Sequence, residues 1–255
     1  MVALGASRFY SRTSAGKYPL DVVEIRPAFA LSESLPERVR RFREERLARI
    51  AAGETPIHFE PGPTLVLHVL PVTALDHTTR IEVPVLAEKA KGLRPMSAPG
   101  HNSRVNFDGF LTYNTNGPAY LQVFRSGAFE AADGFVLRTR GSKRQIPSAY
   151  YERQVIDTLK GCLAVFNELA LDPPVFVLIS LLGVSGYTMA IDEARFPFVE
   201  QHPIDRDNLL LPDILTETLE CEPATLLKPA FDAVWQAAGW HGSLNYDAQG
   251  NWEHR

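Results

Sequence analysis

Cysteine is scarce in this sequence, and long apolar runs are absent from it. The chain has only two cysteines, Cys162 and Cys221. They lie far apart and form no CxxC pair, which excludes a cysteine-rich structural zinc site. The longest strongly apolar run, residues 175–184, is about half as long as a membrane-spanning helix requires. No basic segment followed by an apolar core opens the chain, so we expect a cytoplasmic protein without a signal peptide.

Excess charge of one sign is also missing from the chain as a whole. Its 255 residues include 26 Lys and Arg and 30 Asp and Glu, with 45% hydrophobic residues. This composition is that of an ordinary globular protein, and it excludes a disordered chain and a uniformly basic nucleic-acid-wrapping protein. The charge is unevenly distributed, because residues 8–50 carry a basic excess and residues 200–255 an acidic one.

The N-terminal part of the chain is predicted to contain a short strand and two helices. Residues 8–12 read as the strand, and Asp21 can cap a helix over residues 22–29. Ser34 and Glu37 have the spacing of a capping box that begins a second helix over residues 34–52. Gly53 ends this helix, and its predicted buried face consists of Val39, Phe42, Leu47 and Ile50.

The rest of the chain is predicted to form a sheet with helices. Residues 64–72 and 175–184 are apolar at nearly every position, which is typical of strands buried on both faces. Residues 104–112, 119–125 and 128–139, separated by turn sequences, predict an antiparallel meander. Residues 73–103 read as an irregular connection, and residues 187–191 as a strand pairing with 175–184. Two amphipathic helices are predicted, one capped by Ser148 and one between Pro223 and Gly239.

These elements together predict an α+β fold with a mixed sheet that contains an antiparallel meander and has helices packed mainly on one face. The predicted core consists of Leu65, Leu67, Val69, Val155, Leu159, Phe166, Phe176, Leu178, Ile179, Phe231 and Trp235. His68, inside the first buried strand, is predicted to be a hydrogen-bonded core histidine rather than a metal ligand.

Two groups of polar residues are candidates for a catalytic cleft. His101, Arg104 and Asp108 lie close together near a strand entrance, and Asp205 and Asp207 lie in a loop at second-neighbour spacing. Paired carboxylates can hold Mg²⁺ or act as a general acid and a general base, and a polar cleft can bind a substrate. The alternatives are a solvated loop with Asp108 in a turn, and a salt-linked turn around Arg206. We predict no metal site, no cofactor and no catalytic residue.

Two further motifs are incomplete. The sequence from Ser14 to Lys17 ends in Gly-Lys like a phosphate loop, but Tyr18 stands where a Ser or Thr is needed. Around Ser185 the sequence resembles a nucleophile elbow, but Tyr187 replaces the second glycine. A buried strand that ends in a tight glycine turn explains the Ser185 region without catalysis.

The helix over residues 34–52 is rich in arginine. Its guanidiniums can contact phosphates, and the interleaved glutamates alternatively favour intrahelical pairs on a solvated face. The candidate nucleic-acid-binding residues are Arg38, Arg41, Arg43, Arg46 and Arg49.

Several blocks of sequence resemble a known bacterial family. The blocks RFYSRTSAGKYPLDV, EIRPAF, SESLPERVRRFREERLARIAAGETP and GPTLVLHVLPV, and later NFDGFLTY, YLQVFRSGAFEA, PPVFVLISLLGVSGYTMA and LLKPAFDAVWQAAGW, resemble proteins with a Schlafen-like AlbA-type DNA-binding domain. The resemblance covers the region downstream of that domain. It implies that residues 1–20 are the domain's last strand and exit, residues 21–60 an arginine-rich helical linker, and residues 61–255 a single α+β domain.

The resemblance implies a non-enzymatic accessory C-terminal region of a DNA-binding protein. Nucleic acid would then be bound through an N-terminal domain that is missing here or separately encoded. The alternatives are a protein-interaction module with a protein partner or a second copy of the chain, or a small enzyme with a cleft near His101, Arg104 and Asp108. We expect no membrane partner, and we expect roughly the first 15 residues to be mobile or to self-associate because their strand lacks its neighbours.

Overall fold

The computed structural model describes residues 10–13, 16–19, 34–75, 80–139, 143–192, 194, 196 and 199–253, the first two ranges by their backbone. Two compact units are distinguished, residues 1–46 and 47–255, and the division falls inside the first described helix. The predicted helix over residues 22–29 lies outside the described residues, as does most of the segment expected to be mobile.

In the first unit a hairpin precedes a helix. Strands β1 (Tyr10–Thr13) and β2 (Gly16–Pro19) pair with each other in an antiparallel two-stranded sheet. Helix α1 (Leu35–Ala51) begins as predicted, because the backbone N–H and the hydroxyl of Ser34 both donate to Glu37 Oε2, at 2.8 and 2.7 Å. It ends at Gly53, whose φ of 76° is a left-handed conformation that glycine adopts without strain.

The second unit is built on an eight-stranded antiparallel sheet. Its strands are β3 (Thr64–Pro71), β4 (Asn102–Val105), β5 (Gly109–Asn114), β6 (Ala119–Phe124), β7 (Phe129–Asp133), β9 (Val175–Leu182), β11 (Leu209–Leu210) and β12 (Ile214–Thr216). Their order in the sheet is β11–β9–β3–β7–β6–β5–β4, and β12 also pairs with β9. The two central strands β3 and β9 are those whose apolar runs predicted burial on both faces.

Helices pack mainly on one face of this sheet, which confirms the predicted α+β fold. A 3₁₀ turn (Val72–Leu75) precedes α2 (Val83–Ala90), and α3 (Ser148–Glu168) and α4 (Pro223–Ala237) complete the set. The main core lies between these three helices and alternate residues of the strands, among them Leu65, Leu67 and Val69 of β3. A smaller core on the opposite face joins Leu47 and Ile50 of α1 to Val66, Leu111, Tyr120 and Ala132. All predicted core residues are buried except Phe176, which is half-buried.

Several predicted elements differ from those observed. Residues 73–103, predicted to be an irregular connection, contain helix α2. Pro84 is compatible with this helix because it lies in the first turn, where a backbone N–H has no partner within the helix. The strand predicted at 104–112 divides into β4 and β5. The strand predicted at 128–139 ends at Asp133, whose carboxylate accepts hydrogen bonds from the backbone of Phe135 and Val136 and so forms a turn.

Two local predictions near α3 are also corrected. Ser148 does not cap the helix, because its hydroxyl donates to the carbonyl of Ala190 and the N-cap is Pro147. The strand predicted at 187–191 is reduced to β10 (Thr188–Met189), and it pairs in parallel with β8 (Gln145–Ile146) instead of with β9. The edge of β9 is occupied by β11 and β12.

Candidate nucleic-acid interface

The hairpin of β4 and β5 forms one edge of the large sheet. All four residues of β4 are exposed, and in the described part of the chain β4 pairs only with β5. Asn106 and Gly109 exchange two backbone hydrogen bonds across the turn, at 3.0 and 3.3 Å. Because bonded and non-bonded pairs alternate along antiparallel strands, the N–H and C=O groups of Ser103 and Val105 point away from β5. The edge therefore presents polar backbone groups to solvent.

The turn of this hairpin is tightly built and holds an aromatic side chain in solvent. Asn106 accepts from the N–H of Gly109 through Oδ1, at 2.9 Å, and donates through Nδ2 to Gln122 Oε1, at 2.6 Å. A Cβ at position 109 would lie 2.2 Å from the carbonyl oxygen of Val123, so only glycine fits there. Phe107 lies in the turn with 91% of its surface exposed. A fixed turn with an exposed phenyl ring offers a ready contact surface.

One arginine lies at this turn and a second lies on β4. Arg125 Nε donates to the carbonyl oxygen of Phe107 at 3.0 Å. The exposed Arg104 lies with its guanidinium 5.5 Å from the centre of the Tyr113 ring and donates from Nη2 to the carbonyl oxygen of Pro56 at 2.8 Å. Aromatic rings and stacked guanidinium planes are the surfaces on which single-stranded bases stack. The hairpin therefore combines two planar platforms with positive charge.

The sequence segments that supply the two edges of the sheet have opposite net charge. Residues 80–125, which include the β4 edge, contain six Lys and Arg but three Asp and Glu. Residues 199–253, which supply β11 and β12 at the other edge, contain two Lys and Arg but ten Asp and Glu. A polyanion is therefore expected to be attracted to the segment that includes β4 rather than to the segment that supplies β11 and β12.

The structure does not bring the five candidate cleft residues together. His101, Arg104 and Asp108 lie on or beside β4, on an exposed edge, and Asp108 lies in the turn that was the alternative interpretation. Asp205 and Asp207 precede β11 at the opposite edge of the sheet. The intervening strand β9 pairs with β3 at the sheet centre, which separates the two groups.

The acidic pair shows the predicted salt-linked turn. Asp205 Oδ1 lies 3.8 Å from Nε of Arg206, and both side chains are exposed. The carbonyl oxygen of Asp207 accepts a hydrogen bond from the N–H of Val184, at 2.8 Å. Among the residues that the structure describes, no cluster of His, Cys, Asp and Glu could hold a metal ion.

The arginines of α1 do not form one exposed set. Arg43 is buried, with 6% of its surface exposed, so its prediction as a phosphate contact is corrected. Arg49 is exposed, and Arg38 and Arg46 are half-buried. Arg41 Nε lies 3.9 Å from Glu45 Oε1, four residues further along, which is the intrahelical pairing expected of a solvated helix face.

The two incomplete motifs belong to ordinary secondary structure. Lys17 lies in β2, opposite Arg12 of β1. Ser185 is exposed in the turn after β9, where Gly183 and Gly186 adopt φ values of 69° and 79°. A strand that ends in a glycine turn accounts for the Ser185 region. No helix in the described ranges is long and apolar enough to cross a membrane.

One buried polar cluster was only partly predicted. His68 is a hydrogen-bonded core histidine as expected, with Nε2 2.9 Å from Glu130 Oε2. The hydroxyl of Tyr120 donates to Glu130 Oε1 at 2.8 Å. Neither partner has a local sequence signal, because the strand register alone places Glu130 opposite His68. All three side chains are fully buried, so in this conformation the cluster stabilises the sheet and does not reach a ligand.

A second buried carboxylate was missed altogether. Glu152 of α3 accepts four side-chain hydrogen bonds, from Trp235, Ser243, Asn245 and Trp252. Burial raises the pKa of Glu152, and these four hydrogen bonds oppose that rise. Neighbouring Tyr151 is fully buried, and burial likewise raises its pKa. Because Glu152 is enclosed by the C-terminal segment, its role is structural.

No protein-family model, curated protein or solved structure matches this chain.

Proposed function

We propose that this chain is a non-enzymatic accessory region of a nucleic-acid-binding protein and that the β4–β5 hairpin contacts single-stranded nucleic acid. The observation that carries the proposal is Phe107, 91% exposed in the β4–β5 turn, where Arg125 donates to its carbonyl oxygen. The resemblance to proteins with a Schlafen-like AlbA-type domain supports the same class of partner.

Single-stranded nucleic acid fits this surface better than a duplex. A stacking contact needs an unpaired base, and each base that stacks on an aromatic side chain contributes about 1–3 kcal/mol to binding. Phe107 and the Arg104–Tyr113 pair can each receive one base, while the guanidiniums contact the phosphates between them. The basic charge of this edge adds an attraction that weakens as salt is raised.

Fluorescence anisotropy with a labelled oligonucleotide of about 20 bases, as single-stranded DNA, single-stranded RNA and duplex, tests the proposal. At about 50 mM salt we expect micromolar binding of a single strand. Phe107→Ala should weaken it about 5-fold to 150-fold, the equivalent of one lost stacking contact. Arg125→Ala should lower the slope of log Kd against log salt by about 0.7.

Arg206→Ala is the matched control, because it removes an exposed arginine from the acidic edge. This variant should bind as the wild type does. Absence of binding at about 50 mM salt and micromolar protein would overturn the proposal. Equal binding by wild type and Phe107→Ala would overturn the assignment to this hairpin.

A further inference from the structure

A cavity that the nucleic-acid proposal does not use lies between α3 and the loop that follows α2. Its volume is about 560 Å³, within the range of small-molecule sites. The helix contributes residues spaced by three and four, which places them on one face of α3. This wall consists of Tyr150, Gln154, Asp157, Thr158 and Gly161, and the loop wall includes Arg94, Pro95, Ser97 and Pro99.

Ser97 fixes the loop wall of this cavity. Its φ of 54° is a left-handed conformation that costs a non-glycine residue about 1–2 kcal/mol. Two side chains hold it there, since its N–H donates to Gln154 Oε1 at 2.6 Å and its hydroxyl donates to Asp133 Oδ2. Strained residues that are held from several sides are common at ligand sites. The loop is therefore tied both to α3 and to the sheet.

Asp133 is itself a rigid anchor. It is fully buried at the end of β7, and its Oδ1 accepts from the N–H groups of Phe135 and Val136, both at 2.7 Å. With both carboxylate oxygens engaged, Asp133 holds the hydroxyl of Ser97 in one place. A cavity wall anchored in this way loses little conformational entropy when a ligand binds.

Two opposite charges line the cavity without neutralising each other. The side chains of Arg94 and Asp157 are both exposed. Within the described ranges, no ion pair or side-chain hydrogen bond involves either one. A purely anionic ligand would meet the carboxylate of Asp157, and a purely cationic one would meet the guanidinium of Arg94. Only a ligand with both charges is complementary to both groups.

We propose that this cavity binds a small zwitterion of the amino-acid class, with its carboxylate on Arg94 and its ammonium on Asp157. A guanidinium can hold a carboxylate through two parallel hydrogen bonds, which fixes the ligand's orientation. The side-chain oxygen of Gln154 already accepts a hydrogen bond from the N–H of Ser97. Its amide nitrogen is therefore the atom of this side chain that can donate to the ligand. This site is independent of the hairpin, and it assigns the chain a second, ligand-binding role.

Isothermal titration of the whole chain with each of the common L-amino acids, at concentrations up to about 10 mM, tests the proposal. We expect at least one to bind with a Kd below about 1 mM. For that amino acid, the matching amine without the carboxylate and the matching acid without the ammonium should each bind about 10-fold more weakly or worse.

Arg94→Gln and Asp157→Asn should each weaken binding about 10-fold, because each removes one charge-assisted contact. Both residues are exposed, so these variants should unfold in urea as the wild type does. Lys160→Gln, an exposed change on the same helix outside the cavity lining, should bind normally. Failure of every amino acid to bind, or unchanged binding by Arg94→Gln and Asp157→Asn, would overturn the proposal.

Discussion

Replacing Glu152 by alanine should destabilise the protein by about 2–6 kcal/mol, because the neutral donors that bond to its carboxylate would lose their common partner. The carboxylate is fully buried and accepts two hydrogen bonds on each oxygen. Trp235 and Ser243 donate to Oε1 at 2.9 and 2.7 Å, and Asn245 and Trp252 donate to Oε2 at 3.0 and 2.8 Å.

The size of this loss of stability depends on which of the four donors can find a new hydrogen-bond partner. The bonds from Ser243 and Trp252 are only partly buried, so water can replace the carboxylate there. The bonds from Trp235 and Asn245 are buried, and each of these donors would be left unsatisfied at about 1–3 kcal/mol. The sum of the two buried losses is about 2–6 kcal/mol, which is the loss of stability expected for the variant.

Urea unfolding measures this loss, with tryptophan fluorescence as the signal. The chain has three tryptophans, at 235, 240 and 252, all in the segment that Glu152 holds, so their emission reports the loss directly. Glu168→Ala, an exposed change at the end of the same helix, should stay within about 0.5 kcal/mol of wild type. A loss below about 1 kcal/mol in Glu152→Ala would refute the reasoning, because it would mean that the four donors are satisfied without the carboxylate.

The helices and strands that could be predicted are those marked by a short, continuous stretch of sequence. The capping box of Ser34 and Glu37 marks the start of α1, and the apolar runs of β3 and β9 predict buried strands. Helix α2 escaped prediction because it is only eight residues long and lies among prolines. Such a short helix is stabilised by tertiary packing, here of Leu86 and Ala90 against the core, rather than by its own propensity.

The contacts that could not be predicted depend on strand register and on long-range folding. His68 and Glu130 are 62 residues apart, Ser97 and Asp133 are 36 apart, and Glu152 and Trp252 are 100 apart. Nothing near any one of these residues indicates its partner. The candidate cleft failed to form for the same reason, because the sheet order, not the sequence order, decides that Arg104 and Asp205 belong to opposite edges.

Two further changes test the core and the anchor of the cavity. Phe231→Ala should cost about 3–5 kcal/mol in urea unfolding, because the ring is fully buried; a loss within about 0.5 kcal/mol would contradict its place in the core. Asp133→Asn should keep the fold, since the amide oxygen can still accept from Phe135 and Val136 while the amide nitrogen donates to Ser97. Burial raises the pKa of Asp133 above its unfolded value, and the hydrogen bonds from Ser97, Val136 and Phe135 oppose this rise only in part. Between those two pKa values the folded state binds more protons than the unfolded state. The contribution of this carboxyl to the free energy of unfolding is therefore fully present below the unfolded-state pKa and is lost as the pH rises through the folded-state pKa. The free energy of unfolding of the wild type, measured relative to Asp133→Asn between about pH 3 and pH 8, should therefore fall as the pH rises. If this difference in the free energy of unfolding stayed constant or grew as the pH rose, the pKa of Asp133 would not be raised in the folded state.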